Sequence, residues 1–89
     1  MAVDPAAEKD LERLHPRERK GVLARLEGLA DDPRPANSEE LRGDLKGIRR
    51  MRIGSYRVAY MVDDKTLRVR VWAVASRERF YELVRIRRT

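Results

Sequence analysis

IRRMRIGSYRVAYMVDDKTLRVRVWAV, residues 48–74, decides the fold. Ile48 to Ile53 reads as a strand, Gly54-Ser55 as a two-residue turn and Tyr56 to Val62 as a second strand. The run YRVAYMV is rich in β-branched and aromatic residues and almost unbroken in apolarity, the pattern of a central strand covered on both faces. Asp63-Asp64-Lys65 reads as a turn. Leu67 to Val74 then alternates, with Leu67, Val69, Val71 and Ala73 expected on one face and Arg68, Arg70 and Trp72 on the other. Three strands joined by short turns predict an antiparallel meander.

Upstream lies what should cover it. Asp4-Pro5 is a helix start, since Asp caps and Pro suits the first helical position. Ala6, Ala7, Leu11 and Leu14 follow at helical spacing, and His15-Pro16 breaks the run. A second helix is predicted from about Pro16 to Ala30, with Val22, Leu23, Leu26 and Leu29 as its apolar stripe, ending at Asp31-Asp32-Pro33-Arg34-Pro35. The expected fold class is α+β: an N-terminal αα-hairpin packed on a small antiparallel β-meander, one domain over residues 1–89.

Composition narrows the chemistry. The 89 residues contain no cysteine and a single histidine, which excludes disulfides, thiolate ligands and a multi-His metal site. No apolar run approaches the roughly 20 residues of a membrane span. The opening MAVDPAAEKD lacks a basic start followed by an apolar run, so no signal peptide is read and a cytoplasmic location is expected. Residues 1–37 carry 7 basic and 8 acidic side chains, whereas residues 38–89 carry 14 and 7. Of the 21 basic residues 17 are Arg, whose planar fork fits phosphate, so the basic half points to phosphate-rich partners.

Arg50 and Arg52, two apart on one strand, leave the same face. Arg57 sits just across the Gly54-Ser55 turn, Arg77 follows the last strand, and Tyr81 comes four residues later. The meander lets the four arginines converge on the sheet face that the hairpin leaves open. Like charges so placed call for an anion; the alternative is that each arginine pairs with a local carboxylate.

These residues carry a resemblance. LRGDLKGIRRMRIGSYRVAY (residues 41–60), AVASRERFY (73–81) and the upstream LERLHPRERKGVLARLEGLADDP (11–33) together resemble the RelE/ParE superfamily of type II toxins, RelE-like branch, over about residues 6–82. The most specific part is R-x-R-x-G-x-Y-R-x-x-Y, Arg50 to Tyr60. The resemblance implies the RelE-like toxin fold and an endoribonuclease that cuts messenger RNA in the ribosomal A site. It implies no metal and no small-molecule cofactor. It also implies a cognate acidic, RelB-like antitoxin, with the ribosome and messenger RNA as the other partners. By position, Arg50 and Arg52 fall where the family binds the scissile phosphate, often with Lys. Arg57 falls at the arginine of G-x-Y-R, Arg77 at the arginine ending the last strand, and Tyr81 at the near-terminal tyrosine. Arg57, Arg77 and Tyr81 are thus the expected catalytic residues, with Arg77 at the leaving oxygen and Tyr81 stacking on a base or acting as general base. Arg50 and Arg52 are the expected phosphate clamps.

The chain departs from the family pattern in places. Arg replaces Lys at residues 50 and 52, so neither exchanges protons easily. Only Met1-Ala2-Val3 precede Asp4, so the first edge strand is expected to be short or missing, and Ser76 precedes Arg77 where some branches have His or Arg. Two other functions remain open: a ParE-like inhibitor of DNA gyrase, which generally lacks the full set of catalytic basic residues, and an inactive toxin-like RNA-binding module. Among single residues, His15 is expected to be structural or solvent-exposed, Trp72 a partly exposed packing residue, and Tyr56 and Tyr60 core. Arg85, Arg87 and Arg88 read as a basic tail, either solvated or in contact with ribosomal RNA phosphates.

Overall fold

The computed structural model describes residues 1–88. In chain order it comprises strand β1 (Ala2–Val3), helices α1 (Pro5–Glu12) and α2 (Pro16–Glu27), strands β2 (Ser38–Glu40), β3 (Arg49–Ile53), β4 (Tyr56–Asp63) and β5 (Arg68–Ser76), and helix α3 (Phe80–Arg88). The meander forms as expected, with Arg49 opposite Tyr60 and Ile53 opposite Tyr56. Gly54 turns it at φ 59°, a left-handed conformation that suits glycine. Two short strands extend the sheet to the order β1-β5-β4-β3-β2, antiparallel except where β1 runs parallel to β5. The first strand is two residues long, the short edge strand expected from Met1-Ala2-Val3.

β4, at the middle of the sheet, is covered on both faces. On one face Ala7, Leu11, Val22, Leu26 and Leu29 of the helical hairpin bury Met51, Val58, Tyr60, Val69, Val71 and Val74. On the other, Phe80 and Val84 of α3 join Leu41, Leu45 and Ile48 over Ala59 and Ala73. The strict alternation expected of residues 67–73 breaks twice. Leu67 lies in the turn, at φ 56° and 85% exposed. A bulge then shifts the register, so that Tyr60 opposes Val71 while Ala59 opposes Ala73. The extra residue, Trp72, sends Ala73 to the α3 side while Val71 stays under the hairpin. Leu23, expected in the α2 stripe, is 37% exposed.

The basic tail is the main correction: residues 80–88 are a helix, and Arg87 is an anchor rather than a solvated charge. Its guanidinium donates to both carboxylate oxygens of Asp10 on α1 at 2.5 and 2.7 Å and to Trp72 O at 3.3 Å. Asp10 also accepts Val74 N at 2.9 Å, a donor that the short β1 leaves without a strand partner. Elements on opposite sheet faces are thus clasped around the β5 edge, and donating to the Asp10 carboxylate raises the Arg87 pKa. Arg88 donates to Asp44 O and pairs with its carboxylate at 3.4 Å. Asp4 does not cap α1 with its side chain. It makes two 2.8 Å bonds with Arg70, which hold its carboxyl below the ordinary range.

Candidate functional site

Arg50 is the second residue of β3, where the β2 register sets it opposite Glu39 and the β4 register sets it opposite Ala59. Alternation turns its side chain away from Met51, which packs under the hairpin, and towards α3. There its Nη1 donates to Tyr81 Oη at 2.5 Å and its Nη2 donates to Glu39 Oε1. The residue is 7% exposed, and its buried Nε has no hydrogen-bond partner. A buried guanidinium demands partners. Glu39 and Tyr81 satisfy two of its nitrogens, one on each arm of the fork.

Arg52 and Arg57 face each other directly across β3 and β4. Cross-strand neighbours put their Cβ atoms about 4.5–5.5 Å apart, so two cations here oppose folding. Arg57 in turn opposes Ala75 on β5, and a 3.1 Å bond from Arg77 N to Ser55 O docks the residue beyond β5 on the β3–β4 turn. Arg52, Arg57 and Arg77 make no ion pair and no side-chain hydrogen bond to any described residue. Arg34, Arg70 and Arg87 each hold two hydrogen bonds to a carboxylate.

The structure therefore brings Arg50 and Tyr81 into contact and sets Arg52 and Arg57 on the same sheet face, with the Arg77 backbone docked on the β3–β4 turn. The face is less open than the sequence implied, because α3 roofs part of it and buries Arg50. Glu39 was missed: SEE, residues 38–40, has no apolar residue to mark a strand, and only its register with β3 delivers the carboxylate to Arg50. His15 stands exposed at the α1–α2 junction, its Nδ1 accepting Arg17 N at 3.4 Å. Tyr60 is fully buried and donates to Pro33 O at 2.8 Å. Tyr56 is half-buried on the hairpin side, and its hydrogen bond to Glu18 raises its pKa. Trp72 is half-buried beside α3. Among the described residues no cluster of three or more His, Cys, Asp or Glu is placed to hold a metal ion, and no helix is long and apolar enough to cross a membrane.

A strand meander under a helical hairpin, with arginines on its far face, has relatives. The family model "ParE toxin of type II toxin-antitoxin system, parDE" matches residues 2–81. The chain belongs to this toxin family. A relative within the group, Toxin RelE of Mycobacterium tuberculosis, is 32% identical over 84 residues, covering 93% of this chain and 86% of the relative. In three dimensions the chain is similar to the crystal structure of the RelBE2 toxin–antitoxin complex from M. tuberculosis. The TM-score is 0.78 at 32% identity, over 84% of this chain and 93% of that one. It is also similar to the intact Escherichia coli RelBE complex, with a TM-score of 0.70 at 28% identity over 84% and 92% of the two chains. The toxin is thus α+β in the manner of the RelE structures, and the arginine face belongs to a type II toxin of the RelE/ParE group.

Proposed function

We propose that this toxin is a ribosome-dependent endoribonuclease, held in check by a cognate antitoxin, that cuts messenger RNA in the A site without a metal cofactor. One observation carries the reading: Arg52 and Arg57 oppose each other on one sheet face without a carboxylate partner among the described residues, on the same strand face as the Arg50–Tyr81 pair, and Arg77, equally unpaired, follows at the end of β5. Cations kept together at a cost to stability are matched to an anion brought by a ligand, and a phosphodiester fits their forks.

RNA brings its own nucleophile, the 2′-hydroxyl. The protein must hold it in line with the phosphorus, accept its proton and stabilise the charge of the pentacoordinate phosphate. Arg52 and Arg57 clamp the non-bridging oxygens, and Arg77 faces the leaving 5′-oxygen. Tyr81 Oη already accepts a hydrogen bond from Arg50, which orients it as an acceptor for the 2′-hydroxyl proton. Glu39, on the other arm of Arg50, is a second acceptor. The P–O5′ bond breaks as the 2′-oxygen bonds to phosphorus, Arg77 stabilises the charge on the departing oxygen, and a solvent water gives that oxygen its proton, leaving a 2′,3′-cyclic phosphate and a 5′-hydroxyl end. The site has strong charge stabilisers but no paired acid and base, so the ribosome must supply substrate alignment. The similar M. tuberculosis and E. coli structures are RelBE toxin–antitoxin complexes, and an acidic RelB-like antitoxin suits the excess positive charge of residues 38–89.

The test is single-turnover cleavage of messenger RNA on programmed ribosomes, with the new ends mapped and naked RNA run alongside. Cleavage confined to ribosome-bound message, with cyclic phosphate ends, is expected. Equal rates with and without ribosomes overturn ribosome dependence. No cleavage, together with inhibition of DNA supercoiling by gyrase, overturns the nuclease reading in favour of the gyrase inhibitor.

A further inference from the structure

Among the described residues two charged side chains are buried, Arg50 at 7% and Asp10 at 6% exposure. Helix α3 touches both. Near its start Tyr81 Oη accepts from Arg50, and near its end Arg87 grips Asp10. Arg50 belongs to the candidate site, whereas Asp10 sits on α1 among the hairpin residues. Stability alone does not account for it, because exchanging a buried ion pair for apolar side chains is often neutral or stabilising. What a forked pair adds is direction. Phe80, Val84 and Arg87 stand at i, i+4 and i+7, so Arg87 takes the third place of the stripe by which α3 lies on the sheet. Phe80 and Val84 are 0% exposed and hold the helix down, but apolar contact is non-directional and lets a helix roll. The Arg87 fork stops the roll, since it meets both Asp10 oxygens at 2.5 and 2.7 Å and reaches Trp72 O at 3.3 Å. Asp10 is fixed in turn by Val74 N at 2.9 Å. The end of α3 is thereby tied to two backbone groups of β5, one of them through Asp10.

We propose that Asp10 and Arg87 are positioning residues for RNA cleavage: the pair fixes the roll of α3 and so sets Tyr81 Oη against Arg50. Tyr81 follows Phe80 by one residue and is turned about 100° from the buried stripe, so a roll of the helix carries its hydroxyl off Arg50. Neither member of the pair touches RNA. Asp10 is buried and carries the same sign of charge as a phosphate, and Arg87 is spent on Asp10 and Trp72 O. The inference rests on the reading of Tyr81, Arg50 and the arginine face as a nuclease site. Its size follows from geometry, since a displacement of about 1 Å caused by a remote change can cost about 10²-fold in rate.

The experiment is a double-mutant cycle with the full chain on programmed ribosomes, in single turnover and below the thermal midpoint of every variant. Arg87→Met keeps an apolar stem of similar length and removes the fork. Asp10→Asn keeps the shape and an acceptor for Val74 N and removes the charge. Each should slow cleavage by about 10²-fold at saturating toxin and leave the half-saturating toxin concentration unchanged. Added to Tyr81→Phe, Arg87→Met should bring no further loss, because the residue it positions is already gone. Trp72, the single tryptophan, packs beside α3, and its emission should move to longer wavelength in Arg87→Met and Asp10→Asn but not in Tyr81→Phe. Wild-type rates in both pair variants, with Tyr81→Phe slow, overturn the inference and leave the site standing. Fully additive losses in the Tyr81→Phe background also overturn it, since the pair would then serve the fold and not Tyr81. A raised half-saturating concentration confined to Arg87→Met overturns it in favour of a direct RNA contact. A full rate for Tyr81→Phe is a different failure: it brings down the reading of the site, and the inference with it.

Discussion

The two faces of the sheet are built to opposite ends. Under the hairpin, strand residues and helix residues close on each other: Val58, Val71, Tyr60 and Leu26 are all 0% exposed. Under α3 the cover is partial. Ala59 and Ala73 are sealed by Phe80 and Val84, but one strand step further Arg52 and Arg57 stand opposed and unpaired. Arg70 is on that same face and shows what a structural arginine looks like here, with both hydrogen bonds returned by Asp4. One face holds the fold together, and the other keeps charge that folding alone would not select.

Changes to the closed face should cost stability. Leu26→Ala should lower the unfolding free energy by about 2–5 kcal/mol, read by urea denaturation. A loss under 1 kcal/mol would show that the hairpin does not seal this face. Next comes Arg77→Ala, which should slow ribosomal cleavage by about 10²–10³ with the urea midpoint unmoved. A variant that unfolds instead would make Arg77 part of the fold. Arg52→Ala removes one of two opposed cations, so stability should hold or rise by up to about 1 kcal/mol while cleavage falls. A clear destabilisation would mean that the face is not charge-frustrated. Leu67→Gly tests a position that belongs to neither face. Relieving its positive φ should add about 1 kcal/mol by urea denaturation, with cleavage unchanged.

The smallest effect concerns acid. The Asp4 carboxyl is held below its ordinary 3.8 by hydrogen bonding from Arg70, so the stability it contributes is present above that value. That contribution is lost as the pH falls through the lowered folded value. Asp4→Asn should flatten the acid limb of a pH–stability profile, and an unchanged limb would show the pair to be without consequence.

The meander was legible because its signals are local: Gly54 at a turn, apolar runs on either side, and arginines two residues apart that must share a face. The hairpin was legible from helical spacing broken by His15-Pro16. What stayed hidden depends on pairing at a distance. FYELVRIRR looks like a tail because Phe80 and Val84, the residues it buries, are two among many charges. Glu39 reaches the site through register alone. The bulge at Trp72 leaves no mark in an alternating strand, yet it decides which side Ala73 faces.

Asp10 and Arg87 stand 77 residues apart, and this separation sets a clock. At about 5–20 residues per second a ribosome needs roughly 4–15 s to synthesise the stretch between them. Until Arg87 emerges, the Asp10 carboxylate has no cation and α3 cannot be clasped to the sheet edge. Tyr81 rides on that helix, so Arg50 gains this partner only after α3 has been made. The Arg50–Tyr81 contact therefore trails the hairpin by seconds, and the order of synthesis makes α3 a late arrival at the arginine face.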